Sequence, residues 1–259
     1  MTAEANAGQI EPALGRAHRV FGKLVAEAGL LDASIRITAR TLSTEEAIGK
    51  PVYDDLPLLR GKEVMIEAEF QGAKGHAFTS APWPWEGSIR DLLALSLETN
   101  QHRSVVSAAM NAVLREQGLV DRTMHCKNDD IVRCGELMAA DLRREFGPTR
   151  IGVVGYQPGL IVGLAKEFGE GQVRVVDLLT ENIGRRPHGV EIWDGLNRTE
   201  DLVRWSQLIL ATGSTVANGT IDTLLETAGR AQVPLILYGV TAAAVCHLCD
   251  IRRLCFLAA

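Results

Sequence analysis

The pattern of apolar residues changes at Gly147-Pro148, and this change constrains the fold more than any other feature. After it, short apolar runs typical of buried strands alternate with helical segments. Strands are predicted at 151–154, 173–177, 208–211 and 234–238. Helices are predicted at 158–168 and near 221–231. Strands of this kind joined by helices predict a parallel, doubly wound sheet.

The pattern before Gly147-Pro148 is different. Strands with a period of two are predicted at 34–40, 64–70 and 76–79, with glycines at 72 and 75 flanking a turn. Helices are expected at about 9–29, 88–97, 101–117 and 134–146. A short sheet followed by helices predicts an α+β layer pair. We therefore expect two domains, residues 1–148 and 149–259, which suits a chain of 259 residues.

Composition excludes several classes of protein. The net charge of −5 gives no basic field that would attract nucleic acid or anionic lipid. No apolar run reaches the length of a membrane span, and the first residues do not resemble a secretory signal. Five cysteines without disulfide-framework spacing suit a reducing compartment. We expect a cytoplasmic protein that has no nucleic-acid or membrane partner.

Two loops that follow predicted strands have residues suited to ligand binding. Ligands of open α/β sheets bind beyond the carboxyl ends of the strands. The loop from Gly155 to Gly159 has glycines that allow close backbone approach, and the loop from Thr212 to Thr220 offers hydroxyls, an amide and backbone N–H groups. The second loop is also compatible with a helix start, with Asn218 or Thr220 as N-cap. Neither the dinucleotide nor the P-loop glycine spacing is present, which argues against NAD and against P-loop chemistry.

Three residues are candidates for acid–base chemistry. Asp177 ends the second strand of the parallel sheet, where a carboxylate can accept hydrogen bonds from ribose hydroxyls, although it can equally be an N-cap or a turn residue. His76 and Lys74 lie near the glycine turn of the first half. A histidine there can be a general base or a surface or interface residue with its hydrogen bonds satisfied.

Two features of the first half have open interpretations. Asn111 lies in an otherwise apolar helix, where a buried amide either ties the helix to the sheet or faces a ligand cleft. Trp83 and Trp85, between prolines, resemble a stiff aromatic flap. If both face the surface, they would suit a homodimer contact.

The cysteines suggest a metal site. Cys246 and Cys249 have the two-residue gap of half a zinc site, and His125 with Cys126 could contribute further ligands. A transition metal is therefore a candidate cofactor. The alternative is that cysteines in an apolar segment behave as small hydrophobic residues.

The strand-end loops resemble those of the heavy-metal-chelation family. The residues that carry the resemblance are 155–160, 175–177, 211–215, 218–220, 238–241 and, in the first half, 75–79 and 111–112. The resemblance implies an α/β fold in which a small α+β enolase-N-terminal-like domain precedes a Rossmann-like domain. It also implies a cleft between the domains, formed by Asn111, Gly155, Asp177, Thr212, Ser214, Asn218, Gly219 and Thr220.

Three functional hypotheses follow. The first is an enzyme that acts on a small polar metabolite, such as a metal-chelator or pterin-like precursor, with His76, Lys74 or Asp177 as acid–base groups. The second is a non-enzymatic metal-binding or metal-delivery protein that uses the His/Cys clusters. The third is a methyltransferase with S-adenosylmethionine as cofactor, because the Rossmann-like half resembles methyltransferase folds.

Overall fold

The structure is a computed structural model that describes residues 11–31, 37–51, 56, 58–59 and 63–259. The strands within these residues are β1 (Ile37–Thr41), β2 (Val64–Phe70), β3 (Ala73–Thr79), β4 (Trp85–Gly87), β5 (Ile151–Val154), β6 (Val173–Asp177), β7 (Ile192–Asp194), β8 (Leu208–Thr212), β9 (Leu235–Tyr238) and β10 (Arg253–Leu254). The α-helices are α1 (Ala13–Glu27), α2 (Thr44–Ile48), α3 (Ile89–Leu93), α4 (Asn100–Glu116), α5 (Asp130–Phe146), α6 (Pro158–Phe168), α7 (Gly195–Trp205), α8 (Ser214–Asn218), α9 (Ile221–Arg230) and α10 (Ala243–Cys249).

The first half forms a four-stranded antiparallel sheet in the order β3-β2-β1-β4. Thr99 caps the N-terminus of α4, and its hydroxyl accepts a hydrogen bond from the N–H of His102 at 3.2 Å. The helix lies very close to β3 at Gly75, where a Cβ atom would be 2.3 Å from the carbonyl oxygen of Ala108. Glycine at this position therefore allows the helix and the sheet to pack in contact.

The second half forms a six-stranded parallel sheet in the order β10-β9-β8-β5-β6-β7. Alternate residues of β8 belong to different cores: Leu208 and Leu210 pack on one face, and Ile209 and Ala211 on the other. Both faces are therefore covered, as the apolar strand sequences indicated. The predicted α/β fold, an antiparallel sheet followed by a doubly wound parallel sheet, is confirmed.

The two halves share one core. The larger core cluster contains residues of α4, such as Val105 and Met110, together with Ile209 and Leu237 of the parallel sheet. Helix α5, although it precedes residue 148, packs along α6. The boundary near residue 148 stays a prediction.

Several elements were not predicted from the sequence. They are α7, which has 11 residues, and the shorter elements α2, β4, β7, α8, α10 and β10. Residues 34–36 of the predicted first strand lie outside the described residues, and β1 begins at Ile37. Among the described helices, none has the length and apolar character needed to cross a membrane.

Candidate functional site

A cavity of about 920 Å³ lies at the carboxyl ends of the parallel strands. The direction in which strands are added reverses between β5 and β8. From β5 the chain first forms β6 and β7 on one side and then β8, β9 and β10 on the other side. The residues that follow β5 and β8, Gly155 and Gly213, both line the cavity. This reversal point is where doubly wound sheets bind ligands, and a volume of this size suits a small molecule.

The loop after β5 has a backbone that only glycine adopts easily. Gly155 has φ +91°, and a Cβ atom there would lie 2.6 Å from the Cγ2 atom of Thr212. The hydroxyl of Tyr238 donates a hydrogen bond of 2.8 Å to the carbonyl oxygen of Gly155. Burial, and secondarily the charge of Asp177, raises the pKa of Tyr238, so the phenol stays neutral.

The loop after β8 contains the short helix α8. Thr215 donates its hydroxyl proton to the carbonyl oxygen of Thr212 at 2.7 Å, and the Asn218 side-chain oxygen accepts a 2.8 Å hydrogen bond from the Thr220 hydroxyl. The loop is thus ordered by its own side chains. Five of the predicted ligand-binding residues in it line the cavity: Thr212, Ser214, Asn218, Gly219 and Thr220.

Asp177 lines the cavity but is largely used within the protein. One carboxylate oxygen accepts the N–H of Tyr156 at 2.6 Å, and the other accepts the N–H of Leu179 at 2.7 Å and the amide of Asn182 at 3.3 Å. These bonds fix the loops that follow β5 and β6. They leave the carboxylate little capacity for further hydrogen bonds, although its charge still acts on the cavity.

Glu63, just before β2, is a cavity residue that sequence analysis did not identify. Burial, with a contribution from the negative charge of Asp177, raises the pKa of Glu63 to about 7. Two carboxyl groups with different environments therefore share one cavity. In the sequence, Glu63 follows Arg60 and Lys62, a charged stretch that resembles an ordinary solvated loop.

The outer part of the cavity adds charges that largely compensate one another. Arg204 of α7 donates a 2.6 Å hydrogen bond to Asp201 and lies 3.5 Å from Glu200. All three residues line the cavity. Among the described residues of the lining, neither Glu63 nor Asp177 has a cationic partner. The inner part of the cavity therefore favours neutral or cationic ligands over phosphates.

His76 and Lys74 do not line the cavity. His76 is only 2% exposed; its Nε2 atom donates to Glu67 at 3.1 Å. Lys74 lies 3.1 Å from the other carboxylate oxygen of Glu67. The structure thus groups these two residues around Glu67, away from Asp177, and the catalytic roles predicted for them stay predictions.

Asn111 and Gly159 are also placed outside the cavity lining. Asn111 is fully buried and donates 3.0 Å hydrogen bonds to the carbonyl oxygens of His76 and Val240, while its own oxygen accepts the N–H of Ala244 at 2.7 Å. Asn111 therefore joins α4 to β3 and to the loop after β9. This placement corresponds to a tie between the helix and the sheet and not to a residue that faces a ligand cleft. Gly159 lies at the α5–α6 contact, where a Cβ atom would be 2.9 Å from the carbonyl oxygen of Ile131.

The four predicted metal-binding residues fall into two separate groups. His125 and Cys126 line the cavity, together with Cys134 and Cys255. Cys246 and Cys249 lie on α10 in the other core, and the Cys249 thiol donates to the carbonyl oxygen of Ala13 at 3.3 Å. Over the described ranges, no group of three or more His, Cys, Asp or Glu side chains is arranged to hold a metal ion.

Trp83 and Trp85 are half-buried rather than fully exposed. Both pack against the larger core, and the Trp83 ring lies 5.1 Å from the ring of His102. The homodimer contact depended on both rings facing the surface, and it stays a prediction.

Comparison with known proteins identifies part of the chain. Residues 138–251 match the model of the DUF364 family, which is described as "Putative heavy-metal chelation". This segment, which is less than half of the chain, is similar to DUF364 proteins. The resemblance predicted from the strand-end loops is therefore confirmed over this segment, which includes the loops of the cavity after β5, β6, β8 and β9. The cavity residue Glu63 lies outside the matched segment.

Solved DUF364 structures are similar to this chain. One is a protein of unknown function from Pyrococcus horikoshii, 14% identical, with 89% of this chain and 80% of that chain covered and a TM-score of 0.48. Another is a protein of unknown function from Desulfitobacterium hafniense DCB-2, 17% identical, with 72% of each chain covered and a TM-score of 0.47. The search of curated proteins gave no match.

Proposed function

We propose that the protein is an enzyme that acts on a small polar metabolite in the cavity, and that Glu63 transfers protons to and from that metabolite. The observation that carries the proposal is the unequal pair of carboxyl groups. Asp177 is tied to three donors, whereas Glu63 faces the cavity with a pKa raised to about 7. A carboxyl group that is half-protonated near neutral pH suits general acid–base catalysis.

The lining supports a ligand with an apolar body and polar groups. Leu58, Met138 and Leu224 contribute apolar surface, and the α8 loop contributes hydroxyl and amide groups. A pterin-like heterocycle or a metal-chelator precursor has this combination. The DUF364 match, described in terms of heavy-metal chelation, supports a role of the product in metal handling.

Ligand binding is tested by thermal shift with three probes: a pterin, S-adenosylmethionine and inorganic phosphate. We expect the pterin to raise the Tm, because a ligand that binds only the folded state stabilises it. Phosphate should give no shift, since the inner cavity is negatively charged. A shift with S-adenosylmethionine alone would instead favour the methyltransferase hypothesis.

Variants of cavity residues test whether the ligand-induced rise of the Tm comes from binding in the cavity. Asn218→Ala removes an amide at the cavity wall and should reduce the pterin-induced shift, while Asn197→Ala at the outer rim should change it less. If Asn218→Ala and Asp177→Ala both retain the full shift, the cavity is not the binding site.

The role of Glu63 is tested by Glu63→Gln, with Glu69→Gln as the matched control on the exposed side of β2. Where the wild-type protein turns over a metabolite that it binds, we expect Glu63→Gln to lower the kcat for this metabolite by about 100-fold or more. This factor is the usual contribution of a general acid or base. Binding should be largely retained. A Glu63→Gln variant with the kcat of the Glu69→Gln control would contradict the proposal.

A further inference from the structure

Five large apolar side chains are exposed among the residues that the structure describes: Leu59, Leu119, Leu137, Leu178 and Leu196. Single exposed leucines are common on protein surfaces and need no functional explanation. Two of the five differ from the others, because Leu178 and Leu196 line the cavity. Leu178 is 48% exposed and Leu196 is 80% exposed, so the two side chains lie at its mouth.

The two leucines are neighbours at the ends of adjacent strands. Asp177 of β6 and Asp194 of β7 are paired in register, and Leu178 and Gly195 follow them. Leu178 lies over Gly195, where a Cβ atom would be only 3.2 Å from the Cδ2 atom of Leu178. A larger residue than glycine would therefore force Leu178 to move. Leu178 and Leu196 together are called the apolar lip of the cavity.

The start of α7 holds Leu196 in its exposed position. The Asp194 carboxylate caps this helix and accepts a hydrogen bond of 2.9 Å from the N–H of Leu196. The backbone of the first turn is thus fixed, and the Leu196 side chain remains in water. Because apolar surface gains free energy when it leaves water, a ligand group that covers the lip is stabilised there.

The lip borders on a buried polar wall of the cavity. The exposed fraction rises from 7% at Asp177 to 48% at Leu178, the next residue. Since adjacent Cα atoms are about 3.8 Å apart, a ligand that reaches Asp177 lies close to the lip. The cavity volume of about 920 Å³ is near the upper end of the ~300–1,000 Å³ that is usual for ligand sites. The cavity therefore has room for a polar head together with an apolar substituent.

We propose that the substrate has an apolar alkyl or aryl substituent beyond its polar head, and that Leu178 and Leu196 bind this substituent at the mouth of the cavity. This assignment rests on the proposed function, since it concerns the substrate of the same cavity. The polar head is neutral or cationic, because Glu63 and Asp177 line the inner part of the cavity. The two leucines determine specificity and take no part in proton transfer.

The test uses a homologous series of primary amines, n-butylamine, n-hexylamine and n-octylamine, titrated into the full chain and followed by calorimetry. We expect the affinity of the wild type to rise by about 2–4-fold per added methylene, the upper figure being that of a fully buried group. Hexanoate, which has an anionic head, should bind more weakly than n-hexylamine. A wild-type protein that binds none of the amines, or binds them without dependence on chain length, would overturn the proposal. Equal affinities for hexanoate and n-hexylamine would do the same.

Variants show whether the lip is the part of the cavity that binds the chain. Leu178→Asn combined with Leu196→Asn should keep the affinity for n-butylamine and lose most of the gain with chain length. Leu196→Asn alone, at the more exposed position, should lose part of this gain. Leu137→Asn, at a 39% exposed position on α5 outside the cavity lining, is the matched control and should behave as the wild type does. Substitutions at exposed positions have small effects on stability, so these variants should fold. A double variant that keeps the full gain would refute the role of the lip.

Sedimentation velocity tests a different occupant of the lip, a second copy of this chain. A wild-type dimer that becomes a monomer in the double variant, without any effect of the double variant on amine binding, would make the lip a homodimer contact and overturn the proposal. Failure of the lip is distinguishable from failure of the proposed function. Loss of the chain-length effect, with the pKa of Glu63 still about 7, overturns the lip alone. A Glu63 carboxyl with its usual pKa overturns the proton-transfer role and leaves the result with the amines standing.

Discussion

The Nδ1 atom of His76 accepts a hydrogen bond of 3.1 Å from the backbone N–H of His125. Because an acceptor nitrogen has no proton, the proton of the neutral ring is on Nε2, which donates to Glu67 at 3.1 Å. The ring therefore ties β3, β2 and the loop before α5 together in its neutral form. Burial lowers the pKa of His76 to about 4, although the Glu67 carboxylate opposes this effect.

This relationship predicts a pH dependence of stability. The unfolded state takes up a proton on His76 near its usual pKa of 6.5, whereas the folded state does so only near 4. The unfolded state thus binds more protons between these values, and the free energy of unfolding falls as the pH is lowered from 6.5 to 4. The contribution of His76 is about 3 kcal/mol over this window.

Urea unfolding at several pH values checks this expectation in wild type and in His76→Gln. His18 and His125 also have pKa values lowered mainly by burial, so the difference between the two proteins isolates the share of His76. The variant should be less stable at pH 7 and should lose less stability as the pH falls. Parallel pH profiles in the two proteins would show that His76 does not contribute in this way.

Asn111 is expected to stabilise the contact between the two halves. Asn111→Ala leaves the carbonyl oxygens of His76 and Val240 and the N–H of Ala244 without their partner. Buried unpaired groups are costly, and we expect a loss of about 3 kcal/mol in the free energy of unfolding. Asn197→Ala, at an exposed position, should cost less than about 0.5 kcal/mol. Equal losses in chemical denaturation would contradict the bridging role.

A stack of arginine and tryptophan side chains fastens α7 to the sheet. The guanidinium carbon of Arg174 on β6 lies 4.7 Å from the ring centroid of Trp193 and 4.8 Å from that of Trp205. Arg174→Met keeps the length of the side chain but removes its charge. We expect it to lower the free energy of unfolding by about 1–2 kcal/mol and to change tryptophan fluorescence. Arg133→Met, at an exposed position on α5, is the control for loss of charge. A loss no larger than in this control would mean that the stack is not stabilising.

The sequence predicted those elements that have a strong local pattern. The bounds of β6 and α6 agree with the prediction, because valines dominate β6 and Pro158 marks the helix start. Strand β10 has only two residues, and its assignment depends on pairing with β9. Helix α8 was described only as a loop or a helix start, since its polar residues are compatible with both.

The candidate site was predicted in part. The strand-end loops line the cavity, because the carboxyl ends of parallel strands meet at one edge of the sheet. Glu63 was missed because its raised pKa comes from tertiary burial and from Asp177, which is distant in sequence. The prediction of which cysteines lie near one another was incomplete for the same reason. The spacing of Cys246 and Cys249 was conspicuous, whereas Cys134 and Cys255, which are distant in sequence, come to line the same cavity only in the folded chain.

The central claim, that Glu63 exchanges protons near neutral pH, is tested most directly by the carboxyl ¹³C chemical shift of Glu63. The shift is followed against pH in protein labelled at glutamate and assigned with Glu63→Gln. We expect an apparent pKa of about 7 in the wild type. In Asp177→Asn the pKa should be lower but still above the usual value of 4.5, because burial is the larger cause. A Glu63 carboxyl that titrates near 4.5 in the wild type would contradict the account.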